Sequence, residues 1–320
     1  MSESDPNKEN ESNLCDAYLK SKRRNIRLPD PRYFRLSSNL GKARLSLAAE
    51  AVVRNMQDDV AAFEGWLLAL KAWGCIENAE LHWDAPEKRN DGHYQRFLYR
   101  VTQFEKLFGW FEVVRECRVL LGESRVKGSL FVNTAAGTPK VNPDEKSKET
   151  KLEKYLADSG WLSITFALDK DKVGRQFPVG LFENTVSQKT KIFTGGKSAI
   201  DLVGLEHKAK RVWVFELKAE GNQSMGIVSE LFFYVAFMRD AIMGTFKFKD
   251  SERCVDGRLH HRDLELIEEI RGCLLAPKFH PLLDDNLVVD LLNNAVWPDG
   301  LKVGFCSEKL PDAIVAQAAA

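Results

Sequence analysis

The 320-residue chain carries 46 basic and 46 acidic side chains and so has no formal net charge. Affinity for a polyanion therefore has to come from local patches and not from the overall field. With 44% hydrophobic and 29% charged residues, the composition is that of a soluble globular protein with apolar material for one large domain or two ordinary ones.

The six cysteines (Cys15, Cys75, Cys117, Cys254, Cys273 and Cys306) are scattered without a CxxC pair. That spacing argues against a zinc knuckle and a disulfide framework, and fits a reducing compartment. The polar start MSESDPNKENESN lacks the apolar core of a signal peptide, and the longest apolar run, LFFYVAFM, is too short to span a bilayer. A cytoplasmic protein without a membrane partner is expected.

Residues 1–13 read as a disordered tail, rich in Asn, Ser and Glu. LKSKRRNIRLPDPRYFR follows, with seven Lys or Arg against one Asp and with Tyr33 and Phe34 among them. It is either a solvated arm or a strip that follows a phosphate backbone. From Gly41 to Gly74 the apolar spacing of LSLAAEAVV and VAAFEGWLLALKAW is helical. RFLYRVTQFEKLFGWFEVV resumes that spacing after a loop, and a Pro/Gly/Lys-rich connector at 134–146 reads as a domain boundary. Residues 14–140 are thus expected to form a mainly helical N-terminal domain, and residues 141–320 a second domain.

The second half reads more sharply. ETKLEKYLADSG is an amphipathic helix with a glycine stop, and RQFPVGLFE a strand with an irregularity at Pro178. KSAIDLVGL and RVWVFELKA are strands joined by the polar turn EHKAK, as in an antiparallel hairpin. SMGIVSELFFYVAFMRDAIMG is a helix apolar almost all round. After a charged insertion holding His260 and His261, read as surface residues, IRGCLLA is a strand, PLLDDNLVVDLLNNA a helix and LKVGFCSE a last strand. The order α-β-β-β-α-β-α-β implies an α/β sheet with helices on both faces.

Two of these buried strands carry acids. RVWVFELK is apolar on both sides until Glu216, and Lys218 follows at a spacing that projects both to one side of the pleat. Asp201 stands on the neighbouring strand. Burying carboxylates there costs several kcal/mol unless something compensates them, and one lysine neutralises only one acid. The remaining charge suits a hard divalent cation such as Mg2+, with Mn2+ as a substitute. The alternative is a buried Asp201–Lys218 or Glu216–Lys218 ion pair without metal.

Asp201, fourteen intervening residues and then Glu216-Leu217-Lys218, set among these elements, resemble the PD-(D/E)xK nuclease superfamily over about residues 145–308. Ile200 stands where many members have proline before the first acid. The resemblance implies a restriction-endonuclease-like αβββαβ core and Mg2+-dependent cleavage of nucleic-acid phosphodiesters, DNA more than RNA. It assigns Asp201 and Glu216 as metal ligands, joined by the Leu217 carbonyl, and Lys218 as the catalytic lysine. It also implies a further acid, for which Glu153 on the first helix is preferred over Glu149, with Glu183 at the end of the first strand as rival. Glu230 and Tyr234, one turn apart on the apolar helix, loosely resemble a Q-x-x-x-Y helix and are expected behind the site. Lys197, Asn222 and Gln223 are candidate phosphate contacts.

The expected function is a metal-dependent nuclease, in defence against foreign DNA, restriction or repair by analogy. Its N-terminal domain would select a substrate, a partner protein or a second copy. The competing expectation is a catalytically silent nuclease-like fold acting as a nucleic-acid-binding or protein-interaction module.

Overall fold

The computed structural model describes residues 26–39, 41–133, 147–194, 198–219, 223–249, 254–256, 258–298 and 300–319. The expected tail 1–13, the connector 134–146, Lys197 and Asn222 lie outside the described residues. The chain divides into two compact units, one of Met1–Val126, Ser224–Ser229 and His280–Val296, the other of Lys127–Gln223, Glu230–Phe279 and Trp297–Ala320. The first break in the chain thus comes after Val126, before the expected connector, and two later segments return to the first unit.

The first unit is α/β and not mainly helical. Strands β1 (Phe34–Asn39), β2 (Lys42–Leu47), β3 (Asn78–Trp83) and β4 (Phe111–Val113) form a sheet in that order, β1 antiparallel to β2 and the rest parallel. The expected helix from Gly41 fails at KARLSL, where Ala43, Leu45 and Leu47 alternate with Lys42, Arg44 and Ser46 and bury one face of β2. Helix α1 (Phe63–Ala72) is buried along most of its length, as its all-round apolar sequence demands. Helix α2 (Gly92–Leu107) starts where the Asp91 carboxylate accepts from the N–H groups of His93 and Tyr94 at 2.8 and 3.2 Å. Phe63, Phe97, Phe104 and Phe111 pack together with ring centroids 4.8–6.2 Å apart. Phe34, read from the sequence as an aromatic in a basic arm, is fully buried against Trp66, and Tyr33 carries the Arg54 guanidinium over its ring. The Phe34 ring is therefore not available to stack on a base.

In the second unit, β5 (Leu130–Val132) begins the chain of elements, followed by α3 (Lys148–Asp158), β6 (Val173–Pro178), β7 (Leu181–Glu183), β8 (Ala199–Glu206) and β9 (Arg211–Leu217). Helix α4 (Gly226–Ile242) starts in the first unit and continues into the second. Then come β10 (Phe246–Phe248), β11 (Cys254–Val255), β12 (Leu259–His260), β13 (Glu269–Ala276), β14 (Lys302–Lys309) and α5 (Asp312–Ala319).

The main sheet has the order β14-β13-β9-β8-β6. β6, β8 and β9 are antiparallel neighbours, while β13 runs parallel to both β9 and β14. β9 and β13 are therefore central, in agreement with their unbroken apolar sequences. One face of the sheet packs Leu202, Phe215, Leu217 and Leu275 against Leu152 and Leu156 of α3. Gly272 of β13 admits Val235 of α4, since a Cβ at Gly272 would lie 2.8 Å from the Val235 side chain. Pro178 ends β6, and β7 joins a separate three-stranded sheet, β10-β5-β7. His261, expected at the surface, is buried, its ring stacked 4.0 Å from Phe248 and edge-on to Phe177.

Candidate functional site

The ladder between β8 and β9 runs from Glu206 opposite Arg211 to Leu202 opposite Phe215. One step further, the same register sets Asp201 opposite Glu216, and there the backbone pairing ends. The Leu217 N–H donates instead to Asp201 Oδ2 at 3.0 Å, while the Lys218 N–H continues the pairing with β13 through the Leu275 carbonyl at 2.9 Å. Leu202, Phe215 and Leu217 face α3, so strand alternation sends Asp201, Glu216 and Lys218 to the opposite side. The fifteen-residue separation read from the sequence is thus realised as a cross-strand pair.

On that side Lys218 Nζ donates to Glu216 Oε1 at 2.5 Å and lies 2.8 Å from Glu230 Oε2 of α4, an ion-pair distance without hydrogen-bond alignment. Glu216, Lys218 and Glu230 are only 1%, 2% and 1% exposed, so bulk solvent screens the charge little. Glu230 was expected behind the site; the structure puts its carboxylate on the lysine itself. Tyr234 is buried one turn further along α4. Glu153 is also buried, and the Gln176 amide donates to both of its oxygens at 3.1 Å. Glu149 accepts from the Ala219 N–H at 3.4 Å, beside Lys218.

Four carboxylates, those of Glu216, Glu230, Asp201 and Glu149, thus act on one ammonium, with Glu153 acting on Asp201, and their protonation follows from it. Burial pushes Glu216 well above the ordinary carboxylate range, and the charges of Asp201 and Glu230 push it further. Burial also raises Asp201, with Lys218 pulling the other way and Glu153 and Glu230 adding to the rise. Part of the Asp201 side chain reaches solvent, yet its carboxylate is hemmed in by protein, and the crowding decides the direction. Burial brings Glu153 to about 7 against the opposing hydrogen bond from Gln176. For Lys218, burial opposes the charge, but Glu216, Glu230 and Asp201 outweigh it and hold the ammonium more firmly protonated than an ordinary lysine.

One of the sequence expectations is not brought to this place. Glu183 ends β7, opposite Leu130 in the three-stranded sheet and not in the sheet of Asp201 and Glu216. Gln223 is half-buried in the segment before α4, separated from Lys218 by residues outside the described ones. Gln176 was missed altogether. Its only trace in the sequence is Pro178, two residues on, which flagged an irregular strand.

No family model matches the chain, and neither the curated proteins nor the solved structures give a match. Among the described residues no group of three or more His, Cys, Asp or Glu is arranged to hold a metal ion. The expected ligand set is the smaller pair of Asp201 and Glu216. Glu216 Oε2 is buried without a donor among the described residues and its carboxyl lies against that of Glu230, while Asp201 stands opposite Glu216 in the register with part of its surface open. Two carboxylates supplemented by water and a backbone carbonyl are what Mg2+ takes, whereas the all-protein cage of a closed site is not.

Proposed function

We propose that the second unit is a Mg2+-dependent nuclease hydrolysing nucleic-acid phosphodiester bonds. The surplus of carboxylates over lysine at the ends of β8 and β9 carries this reading. A purely structural ion pair needs one acid per base, and additional buried acids only raise the cost. The order of three antiparallel strands followed by a parallel one, with α3 and α4 beside it, supports the restriction-endonuclease-like assignment.

Asp201 and Glu216 would hold the ion, with the Leu217 carbonyl as a further oxygen. An Mg2+ or Mn2+ ion held there would supply polarisation of a phosphoryl oxygen and a coordinated water of lowered pKa. Lys218 remains an ammonium and acts by donation, not as a general base. Glu216 accepts one of its N–H groups and Glu230 holds it at ion-pair distance, and the ammonium would donate to a phosphoryl oxygen or the attacking water. Glu230 fixes the ammonium from behind, and Glu153 is the third acid. DNA is favoured over RNA by the resemblance alone, which also points to defence against foreign DNA, restriction or repair.

Supercoiled plasmid, linear duplex, single-stranded DNA and RNA should be incubated with the protein and Mg2+, Mn2+ or EDTA. Metal-dependent cleavage is expected on at least one of them, and its loss in Asp201→Ala and Lys218→Ala. Cleavage that survives both substitutions overturns the assignment.

The closed pairing of Lys218 with Glu216 and Glu230 favours a second reading, a catalytically silent fold that binds nucleic acid or protein. Equal inertness of wild type and variants, with no Asp201-dependent metal binding, is the result that selects it.

A further inference from the structure

Gln176 has the wrong backbone for its place. It lies inside β6 with φ at +55°, whereas the other described non-glycine residues with positive φ, such as Asn184, Lys210 and Asn286, sit in turns or beside helix ends. The left-handed region is costly for a residue with a Cβ, and glutamine, unlike asparagine, is not among the residues that tolerate it well. The ladder with β8 pairs Arg175 with Leu202 and Phe177 with Ile200, and is interrupted between them, where Gln176 stands opposite Asp201. Gln176 is exposed, so core packing does not impose this shape. Its amide donates to both oxygens of Glu153 at 3.1 Å. The departure from strand geometry turns Gln176 out of the regular alternation and lets an edge strand grip a carboxylate on helix α3.

We infer that Gln176 is a positioning residue, held in a strained conformation so that the Glu153 carboxylate is fixed on the Asp201 side of β6, behind the two carboxylates that would hold the cation. Strain of this kind persists where the surroundings over-determine it and collects at functional sites. Two amide contacts fix the carboxylate plane, much as hydrogen-bonded partners orient the ligands of metal sites in general. The inference rests on the nuclease reading and deepens it. It makes β6 the third strand, with β8 and β9, to contribute to the site.

The test compares wild type with Gln176→Gly, Gln176→Asn and Asp201→Asn, by thermal melting in EDTA and by calorimetric titration with Mn2+. Glycine adopts a φ of +55° without penalty, so Gln176→Gly should melt no lower than wild type while binding Mn2+ about 10–100-fold more weakly. Asparagine keeps an amide and tolerates the left-handed region, and Gln176→Asn should recover part of the affinity. A glycine variant that binds Mn2+ as tightly as wild type overturns the inference. So does one that melts several degrees lower, because the residue is then structural. If wild type binds Mn2+ through Asp201 and Gln176→Gly does so equally, this inference fails alone. A wild type that binds no Mn2+ removes the nuclease reading and this inference with it.

Discussion

Each unit buries a carboxylate with a cation, and the two solutions are opposite. In the first, Arg100 Nε donates to Glu64 Oε1 at 2.7 Å, its Nη2 donates to Glu64 Oε2, and the same nitrogen reaches the Ala61 carbonyl at 2.9 Å. The guanidinium also lies over the Phe63 ring, 5.2 Å from its centroid. One acid meets one base in a planar fork, and no charge is left over. In the second, Lys218 offers a single compact charge to Glu216 and Glu230, with Asp201 and Glu149 close by and Glu153 acting on Asp201. A matched pair closes a core. An unmatched set stores negative charge that only protons or a cation can settle, and the upward shifts of Asp201, Glu216 and Glu153 record it.

The contrast predicts how each cluster responds to injury. Arg100→Met should be the most damaging, costing roughly 3–5 kcal/mol in chemical denaturation, because Glu64 is left buried and unpaired. An acid limb of similar size should come from His280 in the first unit. Burial lowers its imidazole to about 4, and Nδ1 accepts from the Leu282 N–H at 3.2 Å. Above about pH 6.5 both folded and unfolded histidine are neutral, so it contributes nothing to the pH dependence there. As pH falls towards 4 the unfolded chain takes up a proton that the fold refuses, and stability drops by about 3 kcal/mol. His280→Asn, which keeps an acceptor for Leu282, should flatten that part of the stability profile.

Lys218→Met should cost less than Arg100→Met, roughly 1–3 kcal/mol, because the acids around it already lean towards the protonated form. Equal losses from the two would erase the distinction drawn between the clusters. The smallest effect has the opposite sign. Asp201→Asn keeps an oxygen for the Leu217 N–H and removes one surplus charge, and should raise the stability of the metal-free protein by about 0.5–2 kcal/mol.

Much of the site was legible because it is built from local spacing. Strand alternation put Glu216 and Lys218 on one side, and the short turn between β8 and β9 fixed Asp201 opposite Glu216. Glu153 was preferred for its place beside Leu152 on an amphipathic helix, and the structure buries it there. What escaped was non-local or conformational. Nothing near Glu230 in the sequence says that its carboxylate reaches Lys218, twelve residues earlier and across a loop. The φ of Gln176 has no residue signature, since a glycine or asparagine would have announced it and glutamine does not. The first unit was misread for a different reason. The alternation in KARLSL covers only six residues, and the helical period of the alanine-rich segment after it masked the strand.

The most direct test of the stored-charge account is one set of melting curves, wild type and Asp201→Asn, each in EDTA and in saturating Mn2+. The account predicts that the variant melts above wild type in EDTA, and that only wild type gains stability from the metal, by about 2.7 kcal/mol at a hundredfold excess over Kd. A variant that melts below wild type in EDTA, with neither protein responding to Mn2+, would mean that Asp201 is part of a structural cluster and that no cation belongs there.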